Sequence, residues 1–361
     1  MMERTDRHFR FLMRLMSPNA RLYTEMITSS ALLRGDRGRL LAYDAIEHPV
    51  AIQLGGNDPA ALAECAAIAA AAGYDEVNLN VGCPSPRVQA GMFGAALMLD
   101  PGRVAECVAA MCEASAVPVT VKTRIGVDEH DDYEVLRGLT ERVVAAGAVS
   151  LIVHARKAWL EGLSPKQNRE IPPLDYPRVY RLKGEFPDLP IFINGGFTTE
   201  AEVLAQRGKV DGVMLGRSAY HEPMLIARLD RLLYRDLAMG VSGVDARGSD
   251  ARGSDPEGSD PEGSDPRGSD PKGSDPDVEL AVLRRYVAYM QRELAAGTPA
   301  TAMTRHLTGL FKRRPGARHW RQRLSELSAA AGGIEQLIGE LTSKPTRSRY
   351  NAESAGLAAP N

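Results

Sequence analysis

The chain is poor in the features that announce metal, disulfide or membrane chemistry. Among 361 residues there are four cysteines, Cys65, Cys83, Cys107 and Cys112. None belongs to a C-x-x-C pair and no histidines cluster at ligand spacing, which argues against a zinc site or a disulfide framework. No run of about 18 consecutive apolar residues occurs, so no membrane-spanning helix is read. The start, MMERTDRHFR, lacks the apolar stretch of a secretory leader, and the expected location is the cytoplasm. No G-x-G-x-x-G opens a strand–helix unit, so a Rossmann dinucleotide site is not indicated. The net charge of −2 gives no reason by itself to expect a polyanion partner.

The distribution of charge says more. Between residues 281 and 325 stand Arg284, Arg285, Arg292, Arg305, Lys312, Arg313, Arg314, Arg318, Arg321 and Arg323, against the single acid Glu293. That asymmetry points to a nucleic-acid or other polyanion surface, with a solvated helical face as the plain alternative. Residues 247–276 repeat x-Gly-Ser-Asp-Pro and carry no apolar side chain larger than alanine or proline. Such a segment cannot bury enough surface to offset chain entropy and is expected to be a disordered linker. The expected division is a barrel over 1–240, a linker over 241–277, a basic helical domain over 278–340 and a disordered tail over 341–361. A monomer is expected.

Within the first division, β-branched runs appear at 21–27, 49–54, 76–81, 118–122, 150–154, 190–194 and 211–215. Helical stretches lie between most of them. Asp58-Pro59 and Asp100-Pro101 each read as an N-cap with proline in the first turn. Asp131 and Asp132 start a third helix, and Thr199 with Glu202 forms a capping box. Gly73, Gly147 and Gly208 are the stops. Strand, helix, strand in repetition means a parallel sheet, expected to be apolar on both faces. The fold class is therefore α/β, and repeats of this length could build a doubly wound sheet or a closed barrel; the expectation is a (β/α)8 TIM barrel with a C-terminal helical domain. A closed barrel needs eight strands. With seven runs visible, either the barrel is open or its first strand is missing; the second is expected, with Met1-Met2 as the end of that strand. Cys65, Cys107 and Cys112 fall in Ala-rich helical stretches and are expected to be buried, inert thiols.

Chemistry in such folds sits at the carboxyl ends of the strands. Six successive runs end in polar or glycine residues: Gln53, then Asn80 to Cys83, then Lys122 to Arg124, then His154, then Asn194-Gly195-Gly196, then Gly216-Arg217. Six together are hard to explain by packing. Gly195, Gly196 and Gly216 let backbone N–H groups approach an anion, and Arg217 adds charge, so a phosphate-bearing ligand is expected. A flavin mononucleotide fits, with Lys122 stabilising the reduced ring and Gln53 and His154 bonding its edge. Cys83, in NLNVGCPSPRVQAG, sits on a Gly-Pro turn where packing has little use for a thiol. A free thiol titrates at about 8.5 and could give a proton to carbon. The rival role, a thiolate nucleophile, wants a basic neighbour, and the sequence leaves both open. The loop over 155–174, carrying Lys157, Trp159, Lys166 and Arg169, is long enough to be a binding loop.

The segments NLNVGCPSPRVQAGMFGAALM, VKTRIG, VHARKAWLEGLSPKQNREIPPLDYPRVY, INGG and DGVMLGR resemble the tRNA-dihydrouridine synthase family, its A-type members most closely. TRHLTGLFKRRPGARHWR continues the resemblance into the basic helices. The resemblance implies an FMN-dependent oxidoreductase that uses NADPH to reduce uridines 20 and 20a of the tRNA D-loop, with Cys83 donating the proton to C5. It implies that Met1, Met2, Gln53, Lys122, His154, Asn194, Gly195, Gly196, Gly216 and Arg217 line the FMN. Asn80, Arg87, Lys166, Arg169 and Arg305 are the implied tRNA contacts. Two departures stand out: the strand and proline that precede the Met-Met pair in the family are absent, and the Gly-Ser-Asp-Pro connection is longer. The alternatives are a flavin barrel acting on a free pyrimidine and an RNA-binding protein without catalysis.

Overall fold

The computed structural model describes residues 1–239, 276–312 and 317–329, with positions 333 and 336. The Gly-Ser-Asp-Pro repeat up to residue 275 and the tail 341–361 lie outside the described residues. Seven strands, β1 (Leu22–Thr28), β2 (Val50–Gly55), β3 (Glu76–Val81), β4 (Val119–Arg124), β5 (Leu151–His154), β6 (Ile191–Asn194) and β7 (Gly212–Met214), pair in chain order. All six ladders are parallel, and each strand lies within two residues of its expected run. Among the described residues β1 and β7 are the edges of the sheet. The segment before the first helix lies between them: the Arg4 N–H donates to Glu25 of β1, its guanidinium to Tyr220, and Met1 packs against Gly216.

The helices begin where local chemistry demands. Asp58 Oδ1 accepts the Ala61 N–H at 2.8 Å and Asp100 Oδ1 the Arg103 N–H at 3.0 Å, relieving first-turn donors that have no helical acceptor. Thr199 and Glu202 close a reciprocal capping box. Cys65 and Cys107 are fully buried in the helices Pro59–Ala71 and Pro101–Ala114, where burial pushes each thiol up to about 11. Cys112 corrects the expectation: it is half-buried, not buried, because it lies beside the Gly147 turn rather than under the helix.

A second correction concerns the strands. They are buried on both faces but not apolar on both. Side chains two apart share a face, so in β3 Glu76, Asn78 and Asn80 point one way and Val77, Leu79 and Val81 the other. The apolar set, with Val50, Ile52, Leu54, Val119, Val121, Val153, Ile191 and Ile193, packs under the helices and is at most 2% exposed. The opposite set, which includes Gln53, Asn78, Asn80, Thr120, Lys122, Arg124, His154 and Asn194, is polar. Buried polar groups must be paired: Gln53, Asn78, Asn80 and Thr120 bond one another, Lys122 reaches Asn194, and Arg124 donates to backbone carbonyls. Where the β1–β2 register shifts between Tyr23 and Met26, Thr24 Oγ1 accepts the Gln53 N–H at 3.0 Å.

The helix Arg7–Met16 ties the barrel to the helix Pro276–Ala295. Phe11 stacks on Tyr289 with centroids 3.8 Å apart, His8 Nδ1 lies 2.6 Å from the Tyr289 hydroxyl, and Arg7 pairs with Glu293. On its other side Arg10 pairs with Glu47 at 2.6 Å, with side chains only 5% and 0% exposed. Removing one member of such a pair strands a buried charge. Arg10→Met should destabilise the protein by about 3–5 kcal/mol, and Arg10→Met with Glu47→Leu by clearly less. Denaturant unfolding of both variants checks this; equal losses would mean the pair is not coupled.

Candidate active site

Strand register brings the expected residues to one end of the barrel. Asn80 lies beside Lys122 across β3–β4, Arg124 beside His154 across β4–β5, and His154 beside Asn194 across β5–β6. Gln53 Oε1 accepts from Asn80 Nδ2 at 2.9 Å, and Lys122 Nζ reaches Asn194 Oδ1 at 3.4 Å. Asn194 Nδ2 donates to the Met214 carbonyl at 2.7 Å, joining β6 to β7.

The Cys83 turn is held at each polar backbone atom. Asn80 Oδ1 accepts the N–H groups of Gly82 and Cys83 at 3.1 and 3.0 Å. Arg124 Nε donates to the Gly82 carbonyl at 2.9 Å, and the Cys83 carbonyl accepts the Ala95 N–H at 2.9 Å. Gly94, with φ +64°, makes this closure possible: a Cβ there would sit 2.6 Å from the Cys83 oxygen. Cys83 itself is half-buried, with its Sγ 3.6 Å from the Ser85 hydroxyl. Gln89 bonds both the Pro84 and Leu160 carbonyls, fastening this turn to the 155–174 loop.

Gly195 and Gly196 both adopt left-handed backbone, φ +124° and +81°. A Cβ on Gly195 would meet the His154 ring at 2.8 Å, and one on Gly196 would meet Leu174 at 2.6 Å. Close approach to the His154 ring, as well as the turn itself, requires glycine here. Tyr176 donates to the Gly195 carbonyl at 2.6 Å and stacks on Phe197.

Positive charge is concentrated around this end. Burial, then the charge of Arg124, lowers Lys122 to about 8. Burial likewise lowers Arg124 to about 10. His154 is pushed well below the usual histidine range, chiefly by burial and then by Arg124, Lys122, Arg156 and Arg217, so its imidazole is neutral at pH 7. Arg156 and Arg169 are lowered by burial and then by Arg217. Arg156 Nε is buried with no hydrogen-bond partner. Arg217 pairs with Glu170 at 3.0 Å and donates to the Arg169 carbonyl at 3.2 Å. A cluster of cations that raise one another's energy, with an orphaned guanidinium nitrogen among them, is short of an anion.

Other expected residues stand apart. Met1 lies against Gly216, whereas Met2 is 53% exposed in a turn. Lys166 is exposed on the 155–174 loop and Arg169 is half-buried there. Lys157 and Trp159 face each other instead, with Nζ 4.1 Å from the ring centroid and Lys157 paired to Asp131 at 3.0 Å. Arg87 lies in the short helix Pro86–Ala90, its side chain outside the described residues. Arg305 pairs with Asp6, and its carbonyl accepts from Tyr220 at 3.4 Å. Of the basic set beyond 281, Arg313 and Arg314 lie outside the described residues, Arg292 pairs with Asp44, and Arg284, Arg285, Arg318 and Arg321 are exposed without an ion pair among the described residues. Sequence reasoning missed Asn78, Thr120 and Glu76 as members of the site's support. Their signal was present in the alternation of EVNLNV for Glu76 and Asn78, and of VTVKTR for Thr120.

A parallel barrel with a thiol on one rim turn and a cation-rich mouth has the architecture of an α/β-barrel enzyme. The dihydrouridine synthase (Dus) family model matches residues 1–238, and the chain belongs to that family, whose fold is the (β/α)8 barrel; it is an oxidoreductase. It is 48% identical over 344 residues to the tRNA-dihydrouridine(20/20a) synthase of Xanthomonas campestris pv. campestris, covering 95% of this chain and 91% of that one. The enzyme of that name from Escherichia coli K12 is 49% identical, covering 92% of this chain and 86% of the relative. The one from Shewanella oneidensis is 48% identical, covering 93% and 89%.

Without an anionic ligand, the His154 ring should titrate well below pH 6.5. An anion among Arg156, Arg217 and His154 favours the imidazolium, so saturating inorganic phosphate should move that midpoint upward. Ring-proton NMR against pH checks both; a midpoint unmoved by phosphate would mean that these cations hold no anion beside His154.

Proposed function

We propose that this chain reduces the C5–C6 bond of uridines 20 and 20a in the D-loop of tRNA to 5,6-dihydrouridine, with FMN as cofactor and NADPH as reductant. The observation that carries the reading is the juxtaposition of the Cys83 turn with the cation-rich, anion-deficient end of the barrel. The residues present fit an FMN. Arg156, Arg217, Gly195, Gly196 and Gly216 would take its phosphate, Lys122 and Asn194 the polar edge of the ring, and Gln53 and His154 further ring atoms, with Met1 and Met2 beside it. The chemistry supplied at this site by a bound FMN, reduced by NADPH, would be hydride delivery to C6 of the uracil.

The protein's own part is the proton. Cys83 gives its thiol hydrogen to C5, and the sulfur is left as thiolate until water restores it. Lys122 and Arg124 lie close enough that negative charge on Cys83 favours their charged forms. His154, neutral at pH 7, can donate a hydrogen bond without adding another buried positive charge.

The target uridine must leave its stack to reach this end of the barrel. Asn80, Arg87, Lys166, Arg169 and Arg305 are proposed to guide the RNA there. The exposed Arg284, Arg285, Arg318 and Arg321 supply phosphate attraction, which favours an RNA over a free pyrimidine. Among the described residues no helix is long and apolar enough to cross a membrane.

Full-length protein with FMN, NADPH and unmodified tRNA should form dihydrouridine at positions 20 and 20a. Cys83→Ala should keep FMN and tRNA binding and lose about 10²-fold or more of product formation. Mass spectrometry of the digested tRNA reads both, and unchanged yield in the variant would refute the acid role. Lys122→Ala removes the ammonium that favours the reduced, anionic ring. Its bound flavin should show a lower midpoint potential, by about 30 mV for each 1.4 kcal/mol lost, and an unaltered potential would count against this charge assignment.

A further inference from the structure

The polar inner face of β2, β3 and β4 forms a continuous hydrogen-bond chain that runs away from the proposed reaction centre and ends in a carboxylate. Glu76 Oε1 accepts from the Thr120 hydroxyl at 2.6 Å and from the Tyr23 hydroxyl at 2.9 Å, and its other oxygen pairs with Arg21. Thr120 Oγ1 accepts from Asn78 Nδ2 at 2.8 Å. Asn78 Oδ1 accepts from Gln53 Nε2 at 2.9 Å, and Gln53 Oε1 accepts from Asn80 Nδ2 at 2.9 Å. Asn80 Oδ1 takes the Gly82 and Cys83 N–H groups. All five side chains are at least nine-tenths buried: Glu76 is 2% exposed, Asn78 0%, Thr120 1%, Gln53 8% and Asn80 9%.

Chemistry gives this chain one direction. A carboxylate only accepts, so the single hydrogen of Thr120 is spent on Glu76 and Thr120 must then accept from Asn78. That turns Asn78 Oδ1 toward Gln53, and so on upward. At the other end, backbone N–H groups only donate, so Asn80 must present its oxygen to the Cys83 turn. Both ends demand the same order. Reversing it would set two buried N–H groups against an NH2 group, at about 1–3 kcal/mol each.

We infer that Glu76, Thr120 and Asn78 are positioning residues, which fix the amide orientation of Gln53 and the backbone of the Cys83 turn from about 13 Å below, four strand residues at ~3.3 Å each. The Gln53 amide is thereby left with a defined donor and a defined acceptor for whatever occupies the barrel end. The effect on Cys83 stands alone; the effect on Gln53 rests on the flavin reading above.

Thr120→Val keeps the volume and cuts the chain at one link, and Thr120→Ser restores the hydroxyl. In flavin-free protein, hydrogen exchange at the Gly82 and Cys83 amides should quicken about tenfold in T120V and return to within twofold of wild type in T120S. Amides of the Pro276–Ala295 helix should not change, which separates this from global loosening. In the loaded proteins, T120V should weaken FMN binding several-fold and shift the flavin absorption band, and T120S should reverse both. Exchange unchanged in T120V, or T120V and T120S behaving alike, overturns the inference. If the wild type itself refuses FMN, the flavin reading fails while the exchange comparison still decides the role of Thr120. Should T120V not fold, the wild-type Asn78 side-chain NH2 decides by NMR: strong protection supports the chain, and exchange at the rate of an exposed amide overturns it.

Discussion

A dry barrel interior tolerates no unpaired polar group, and this one is lined with them. The inward polar side chains Gln53, Glu76, Asn78, Asn80, Thr120, Lys122, Arg124 and Asn194 are therefore each bound to a neighbouring side chain or carbonyl. The order that results is more than stabilising. Because Thr120 has one hydrogen and Glu76 has none to give, hydrogen-bond valence alone dictates which way each amide faces. The shape of the Cys83 turn and the environment of Lys122 both follow from that requirement.

The same constraint explains what the sequence disclosed and what it withheld. Strand and helix positions were legible because they depend on local patterns: β-branched runs, Asp-Pro starts, the Thr199–Glu202 box. The strand-end residues were legible because a parallel sheet puts them on one side whatever the register. Partnerships were not. That Arg124 holds the Gly82 carbonyl, or that Glu76 underlies Gln53, depends on cross-strand register and on which face each strand presents. Reading the strands as apolar on both faces hid EVNLNV, where polar and apolar residues alternate strictly. Burial on both sides was right; the inner side is buried by polar contact.

The helices beyond residue 276 are joined to the barrel by a mixed seam. Phe11 on Tyr289 supplies apolar area, and Arg7–Glu293, Arg292–Asp44 and Arg305–Asp6 surround it with charge pairs. His306 closes the seam from inside, its Nε2 2.9 Å from Asp6 Oδ1; against the cost of burial, His306 first, then the Phe9 N–H and Arg305, hold Asp6 well below the usual carboxylate range. Asp6 is itself the N-cap of the helix Arg7–Met16, so one carboxylate starts that helix and engages the C-terminal helices. Three of the barrel's own acids, Asp6, Asp44 and Glu222, are spent on C-terminal cations, Glu222 lying 3.9 Å from Lys312. Those cations anchor the helices, and Arg284, Arg285, Arg318 and Arg321, exposed without an ion pair among the described residues, are the ones the proposed function uses for phosphate attraction.

Charge at the barrel end follows a different logic from charge at the seam. Each of the seam cations Arg7, Arg292 and Arg305 has a carboxylate partner. At the barrel end, Glu170 is paired with Arg217, while Arg124 presses on Lys122, Arg156 on Arg124, and all of them on His154, which stays neutral. Evenly matched ion pairs at a surface contribute little, about 0–1 kcal/mol. Unmatched buried cations cost stability until an anion arrives, and the relief then appears as binding energy for that anion. An assembly built only to persist would pair them. Leaving the barrel end short of negative charge, beside a turn that carries a thiol, is the arrangement the proposed function asks for: there the missing charge would come with the ligand.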